Sequence, residues 1–239
     1  ARIIEKLSKI QLAGILVAPS SETKNFDHFR RLQENGIPLV IFDRDCQGLE
    51  AHKVLVDGYT GAFEAVEYLI KTGCKKIAHI TGFPNLSTNS HRLQGYIDAL
   101  EKNGLPVMEE MIIYAGGFNH EDGIVPVETL LKSKHTPDAI FAVNDRLAVS
   151  AMRTAKKLNF KIPDDISIIG FDDEPHSFYF TPPLSSVWQP VYSMSMLSAR
   201  ILLQEIKEES TEFRNEIFKA ELVIRGTSHK IEAKKDLQK

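Results

Sequence analysis

The sequence predicts an α/β protein whose parallel sheets are covered by helices on both faces. Three observations predict it. Short apolar runs rich in β-branched residues alternate with longer stretches of helical period. Polar residues collect directly after several of those runs, as they do where parallel strands end on a ligand crevice. The 239 residues, 43% apolar and 26% charged, are enough for one large domain or two lobes, and neither a repeat of solenoid period nor a low-complexity linker interrupts them.

In chain order, strands are predicted at Gly14–Ala18, Leu39–Phe42, Val54–Val56, Ile77–Thr81, Met111–Tyr114, Ala139–Val143, Ile166–Phe171 and Ser186–Gln189. After Asp57, residues Ala62, Ala65, Val66, Leu69 and Ile70 recur on one helical face, and Gly73 stands where a left-handed terminator belongs. Leu93, Tyr96, Ile97 and Leu100 repeat the pattern before Gly104, and Leu147, Ala151, Ala155 and Leu158 repeat it before Asn159. Further helices are expected over Glu22–Asn35, His120–Lys132 and Tyr192–Lys207. Thr181-Pro182-Pro183-Leu184 reads as an extended crossover between lobes, because proline fixes the chain there. Ala1–Leu7 reads as the tail of an amphipathic helix, so the chain is expected to start within a longer protein, and the charged tail from about His229 is expected to fray.

A formal net charge of −3 gives no surface that would neutralise nucleic-acid phosphates by itself, so any DNA contact must come from elsewhere. The longest apolar stretches, such as Leu12–Pro19 and Ile166–Phe171, fall well short of the roughly 20 residues that span a bilayer, and no membrane role is expected. The two cysteines, Cys46 and Cys74, have no metal-like spacing and fit a reducing cytoplasm, with a single disulfide the alternative.

The residues that follow the apolar runs are Asp43 and Arg44, Asp57, Gly82, Asn144 and Asp145, and Asp172 and Asp173, all but Gly82 polar. Asp57, Asp145 and Asp173 stand just before helices, where a carboxylate caps free N–H groups, and capping is the favoured reading for each. Asp172 differs, since one carboxylate of the Asp172-Asp173 pair suffices for a cap and the other is left to bind. Arg92 opens the Leu93–Leu100 helix and reads either as a surface arginine or as a crevice donor. Phe118 follows a strand in a glycine-rich turn, where core filling competes with a stacking surface for a ring. Carboxylates, an amide, a guanidinium fork and an aromatic face together suit a neutral polyhydroxy ligand held without chemistry.

Catalytic patterns are missing from the sequence: it has no H-E-x-x-H, no paired-cysteine motif, no G-x-S-x-G elbow, no Walker loop and no G-x-G-x-x-G after a strand. Neither metal nor cofactor is expected, and the protein reads as a non-enzyme.

Four stretches carry a resemblance: Gly82-Phe83 with His91-Arg92-Leu93-Gln94-Gly95-Tyr96, Pro137–Ala148, Ile162–Asp173, and Thr181–Pro190. In this order they resemble the regulatory core of the LacI/GalR repressors, with the likeness running from about Ile10 to Thr227. The resemblance implies the periplasmic-binding-protein type I fold, two Rossmann-like lobes joined by three crossovers near Asp57, Ser186 and Phe218, with residues 1–57 plus 187–217 in the N-terminal lobe, 58–186 plus 218–230 in the C-terminal lobe, and 231–239 as tail. It implies effector contacts at Asp43 and Arg44 in the first lobe and at Thr88, Arg92, Phe118, Asn144 and Asp172 in the second. Leu86 stands where purine-responsive members carry an arginine, which leaves a sugar or sugar derivative as the effector. Members of the family begin with a helix-turn-helix and a βαβ unit opening the first lobe; neither is present, so DNA binding is expected from an upstream segment. What the resemblance implies is a cytoplasmic homodimer in which effector binding shifts lobe rotation and thereby operator affinity. A sugar-binding protein of a transport or chemosensory system is the alternative, and a doubly wound enzyme using Asp172 or Asp173 is a more distant one.

Overall fold

The computed structural model describes residues 12–20, 23, 25–83, 86–207 and 212–229. Its elements in chain order are β1 (Ile15–Val17), α1 (Asp27–Glu34), β2 (Leu39–Asp43), β3 (His52–Val56), α2 (Gly58–Lys71), β4 (Ile77–Thr81), α3 (Ser87–Lys102), β5 (Ile112–Tyr114), α4 (His120–Leu131), β6 (Ala139–Ala142), α5 (Asp145–Lys157), β7 (Ser167–Asp172), β8 (Ser185–Trp188), α6 (Val191–Ile206), β9 (Asn215–Phe218) and β10 (Glu221–Val223). The helix tail read at Ala1–Leu7 and the charged tail beyond His229 lie outside the described residues.

The described residues fall into two compact units. One holds residues 12–58, 86–91 and Gln189–Ala220; the other holds Tyr59–Phe83, Arg92–Trp188 and residues 221–229. In the first unit the strands pair in the order β1-β2-β3-β9, all parallel. Phe29 and Leu32 of α1 pack there with Leu39, Ile41, Cys46 and Leu49. On α6 the residues turned inward are Met194, Ser198 and Ile201.

The second unit orders its strands β10-β8-β7-β6-β4-β5, parallel throughout except that β10 runs antiparallel to β8. β4 and β6 are buried at every position. This is the burial of strands covered on both faces, and it explains why they read as unbroken apolar runs. Ile80, Ile140, Ile168, Leu147 and Ala151 lie in the main core. Helix α3 crosses α2 so closely that a Cβ on Gly95 would lie 2.4 Å from the Tyr59 carbonyl oxygen, so only glycine fits there.

Each predicted strand is present, shifted by at most two residues at an end. β9 and β10 were not foreseen. They are short edge strands, β9 mostly exposed and β10 partly buried, carrying Asn215, Glu216 and Glu221, and their pairing is set by neighbours far along the chain rather than by an apolar pattern. Helix α3 begins at Ser87, well before the apolar period starts at Leu93, because its first turns are polar. Helix α1 begins only at Asp27. Thr181–Leu184 is not a crossover: it lies within the second unit, where Gly226 N–H donates to the Pro183 carbonyl (2.9 Å), and the chain leaves that unit only after β8, between Trp188 and Gln189. The pairing of β8 with β7 keeps it in the sheet until then.

Both cysteines are free and buried, Cys46 in the first unit and Cys74 in the second. Burial, with the Asp45 carboxylate adding to it, pushes the Cys46 thiol up to about 12, and burial raises Cys74 as well. No helix among the described residues is long and apolar enough to cross a membrane.

Candidate functional site

The candidate site lies in the second unit, where β6 and β7 end. β7 finishes on Asp172 at φ 105°, and Asp173 follows at φ 49°, so two successive non-glycine residues occupy positive φ. Such backbone costs of order 1–3 kcal/mol per residue and persists only where surroundings hold it. The Asp173 carboxylate is gripped at both oxygens by Arg225, at 2.6 and 3.0 Å. Arg225 in turn donates to the Leu184 carbonyl (2.8 Å), and its charged form is favoured chiefly by the hydrogen bonds it donates to Asp173.

Arg92 is not the surface arginine that was one reading of the sequence. It sits in the second turn of α3, not at its start, and is only 5% exposed. Its guanidinium lies over the Phe171 ring, 3.5 Å from the centroid, donates from Nη1 to the Val143 carbonyl (2.6 Å), and brings Nη1 to 3.4 Å from Asp172 Oδ1. Stacking and the carbonyl bond therefore orient the fork, while the carboxylate contact is long and electrostatic. Asp172 itself keeps about a third of its side chain exposed.

Asn144, and not Asp145, caps α5. Its extended backbone lets the side-chain oxygen accept the Leu147 N–H at 2.9 Å, whereas Asp145 is already helical. The Asn144 amide also donates to the Phe118 carbonyl (3.0 Å), fixing the turn before α4. Phe118 is half-buried and packs against the main core, so filling accounts for much of the ring.

Asp145 and Asp173 were expected as helix caps, and neither serves as one. Asp173 is committed to Arg225. Asp145, 2% exposed, accepts from Ser186 Oγ (2.5 Å), Ser177 Oγ (2.7 Å) and Glu174 N–H (2.8 Å). Burial outweighs these bonds and pushes its carboxyl up to about 6. Gly170 makes the room, since a Cβ there would stand 2.2 Å from Asp145 Oδ1. Beneath the site His79 stacks with Tyr96 and Phe141, donates from Nδ1 to the Phe141 carbonyl (3.0 Å), and is pushed down to about 4 by burial.

In the first unit, Asp43 ends β2 at φ 65°, and Arg44 Nε lies 3.6 Å from its carboxylate while Nη1 donates to the Pro19 carbonyl (3.1 Å). Thr88 was assigned to the second lobe but is grouped with this unit, as is Ser87, whose Oγ accepts the Asp45 N–H at 2.9 Å. Leu86 is buried. The structure thus brings Arg92, Asp172, Asn144 and Phe118 together in one unit and Asp43, Arg44 and Thr88 in the other. Sequence reasoning missed Phe171, Ser186 and Arg225; the first two are masked by apolar and small-residue runs, and Arg225 finds its partner 52 positions away. Among the described residues no cluster of three or more His, Cys, Asp or Glu could hold a metal ion.

Comparison with known proteins agrees with this architecture. Residues 66–228 match the periplasmic binding protein-like domain. The chain is 33% identical to the "Probable HTH-type transcriptional repressor ExuR" of Bacillus subtilis (strain 168), over 95% of this chain and 68% of that one. It is 33% identical to the HTH-type transcriptional repressor CytR of Escherichia coli (strain K12), over 91% of this chain and 63% of that one. It therefore spans about two thirds of the length of these relatives. Among solved structures, a complex of the transcriptional regulator CelR with cellobiose superposes with a TM-score of 0.87 at 29% identity, covering 95% of this chain and 69% of that one.

Proposed function

Because the chain belongs to the LacI family of transcriptional repressors, of which it carries the periplasmic binding protein-like domain, we propose that it senses a sugar or sugar derivative and passes that signal to a DNA-reading segment of the whole protein. The observation that carries the reading is Arg92, buried, stacked on Phe171 and aimed at the partly exposed Asp172 where β7 ends. A ring hydroxyl placed between them would accept from the guanidinium and donate to the carboxylate, and Asn144 after β6, with Phe118 in the turn bonded to it, could add an amide and an apolar edge. Nothing here needs a nucleophile or an acid–base pair, and the relatives are repressors rather than enzymes. Asp43, Arg44 and Thr88 are the contacts proposed from the first unit.

In this reading the effector prefers one of two states of a cytoplasmic homodimer that differ by lobe rotation, and a coupling of about 1–3 kcal/mol suffices to change operator affinity several-fold or more. Calorimetry with a panel that includes D-ribose, D-glucose, D-galacturonate and cellobiose tests it. Removing the Asp172 carboxylate with Asp172→Ala should weaken the sugar that binds by about 1.5–3 kcal/mol, tenfold or more. Unchanged affinity in Asp172→Ala would refute the site. Arg92→Ala is a poorer probe, since its burial makes it a folding residue too.

A further inference from the structure

The backbone on which Asp172 stands is held from outside the proposed sugar contacts. The N–H of Asp173 donates to Ser186 Oγ (3.1 Å), and that hydroxyl donates to Asp145 Oδ1 (2.5 Å). The next N–H, of Glu174, donates directly to Asp145 Oδ2 (2.8 Å). Two consecutive amides following Asp172 therefore end on one buried carboxylate, and they are the amides that a positive-φ turn must keep fixed. Ser177 Oγ ties the three-residue-per-turn helix Pro175–Tyr179 to the same oxygen. Asp145 is also the residue after Asn144, so one position links the ends of β6 and β7. We propose that Asp145 is a positioning residue whose charged carboxylate holds the Asp172–Glu174 turn in its ligand-competent shape, so that protonating it loosens the turn and lowers affinity at Asp172. The binding half of this proposal rests on the site reading above; the turn half does not.

The physical reason is donor counting. The ionised carboxylate accepts three donors. Once protonated, one oxygen becomes a donor itself, and the Ser186 hydroxyl, which already accepts the Asp173 N–H, must accept it too and give up its own acceptor. Burial of the carboxyl, with the Asp173 charge adding to it, brings the proton on in mild acid, at about 6. Arg225 faces it as well, but its fork is spent on Asp173. Glu174 just before the short helix and His176 within it, Arg146 and Arg153 of α5, and His120 and Glu121 of α4 border the same groove. Arg146 is paired with Glu174 at 3.0 Å and His120 with Glu121 at 3.0 Å, so none of these replaces the lost acceptor.

The test has two arms, both on the whole chain. In amide NMR from pH 4.5 to 8, the Asp173 and Glu174 resonances should move together with a midpoint near that of Asp145. The movement should vanish in Asp145→Asn, and in Ser177→Ala the midpoint should rise, because removing a donor disfavours the charged form. Amides that titrate alike in wild type and Asp145→Asn overturn the proposal, as does a midpoint in Ser177→Ala that stays or falls. In calorimetry with D-ribose and with cellobiose, affinity for whichever binds should drop several-fold from pH 7 to pH 5 in wild type and stay low and flat in Asp145→Asn. Binding that is flat with pH in wild type overturns the coupling. If the amides behave as stated and neither sugar binds, the sugar reading fails while the positioning role of Asp145 stands.

Discussion

Two buried groups in the second unit should make opposite and nearly cancelling contributions to stability in mild acid. His79 is fully buried, and burial lowers it from an ordinary 6.5 to about 4. Its neutral form suits the fold, so the stability it contributes is complete above pH 6.5 and is lost as pH falls through about 4. Asp145 is raised from 3.8 to about 6. Its contribution has the reverse sense: complete below 3.8 and lost as pH rises through about 6. At about 1.4 kcal/mol for each tenfold change in proton affinity, each displacement amounts to about 3 kcal/mol. Acidifying from pH 6.5 to 4 should thus remove about 3 kcal/mol through His79 and restore a similar amount through Asp145. The assay is urea unfolding of wild type, His79→Phe and Asp145→Asn at several pH values, read as each variant's difference from wild type so that other carboxylates subtract out. Relative to wild type, His79→Phe should gain stability on acidification and Asp145→Asn should lose it, whatever offset each shows at pH 7. Difference curves that are flat, or that slope in the same direction, would refute the reasoning about burial at both positions.

Three further outcomes follow from packing and hydrogen bonding. Arg225→Met leaves the mostly buried Asp173 carboxylate without its fork and should cost about 2–4 kcal/mol in chemical denaturation, with a double-mutant cycle against Asp173→Asn returning most of it as coupling; additive losses would count against the pair. Gly95→Ala drives a methyl group into the α2 backbone and should destabilise by about 1–3 kcal/mol, seen as a lowered thermal midpoint; a neutral result would mean the two helices separate freely. Asn144→Ala removes the α5 cap and should cost about 1 kcal/mol in urea unfolding even with no sugar present, whereas a purely ligand-binding asparagine would show no such loss.

Much of the fold was legible because buried parallel strands must be apolar along their whole length, and that pattern survives without knowledge of partners. Thus β4, β6 and β7 were readable from Ile77–Thr81, Ala139–Val143 and Ile166–Phe171 alone. The edge strands β9 and β10 were not, since half-exposed strands carry no such run and their pairing depends on residues far along the chain. At the site, the strand-end position of Asp172 was visible and its backbone was not: no local signal announces two successive positive-φ aspartates. Capping was misassigned between Asn144 and Asp145 because both are good caps and only the helix register, one residue apart, decides between them. The role of Arg225 needed the third dimension, as its neighbours in sequence say nothing of Asp173.

The two buried thiols give this protein a native pair of clocks. Each unit contains one cysteine that a reagent can reach only when that unit opens, and the un-ionised Cys46 is inert until it does. The rates at which a thiol-reactive dye consumes Cys46 and Cys74 therefore time the breathing of each half separately, with no engineered label. Adding a small molecule that slows one clock, the other or both would reveal which half it steadies.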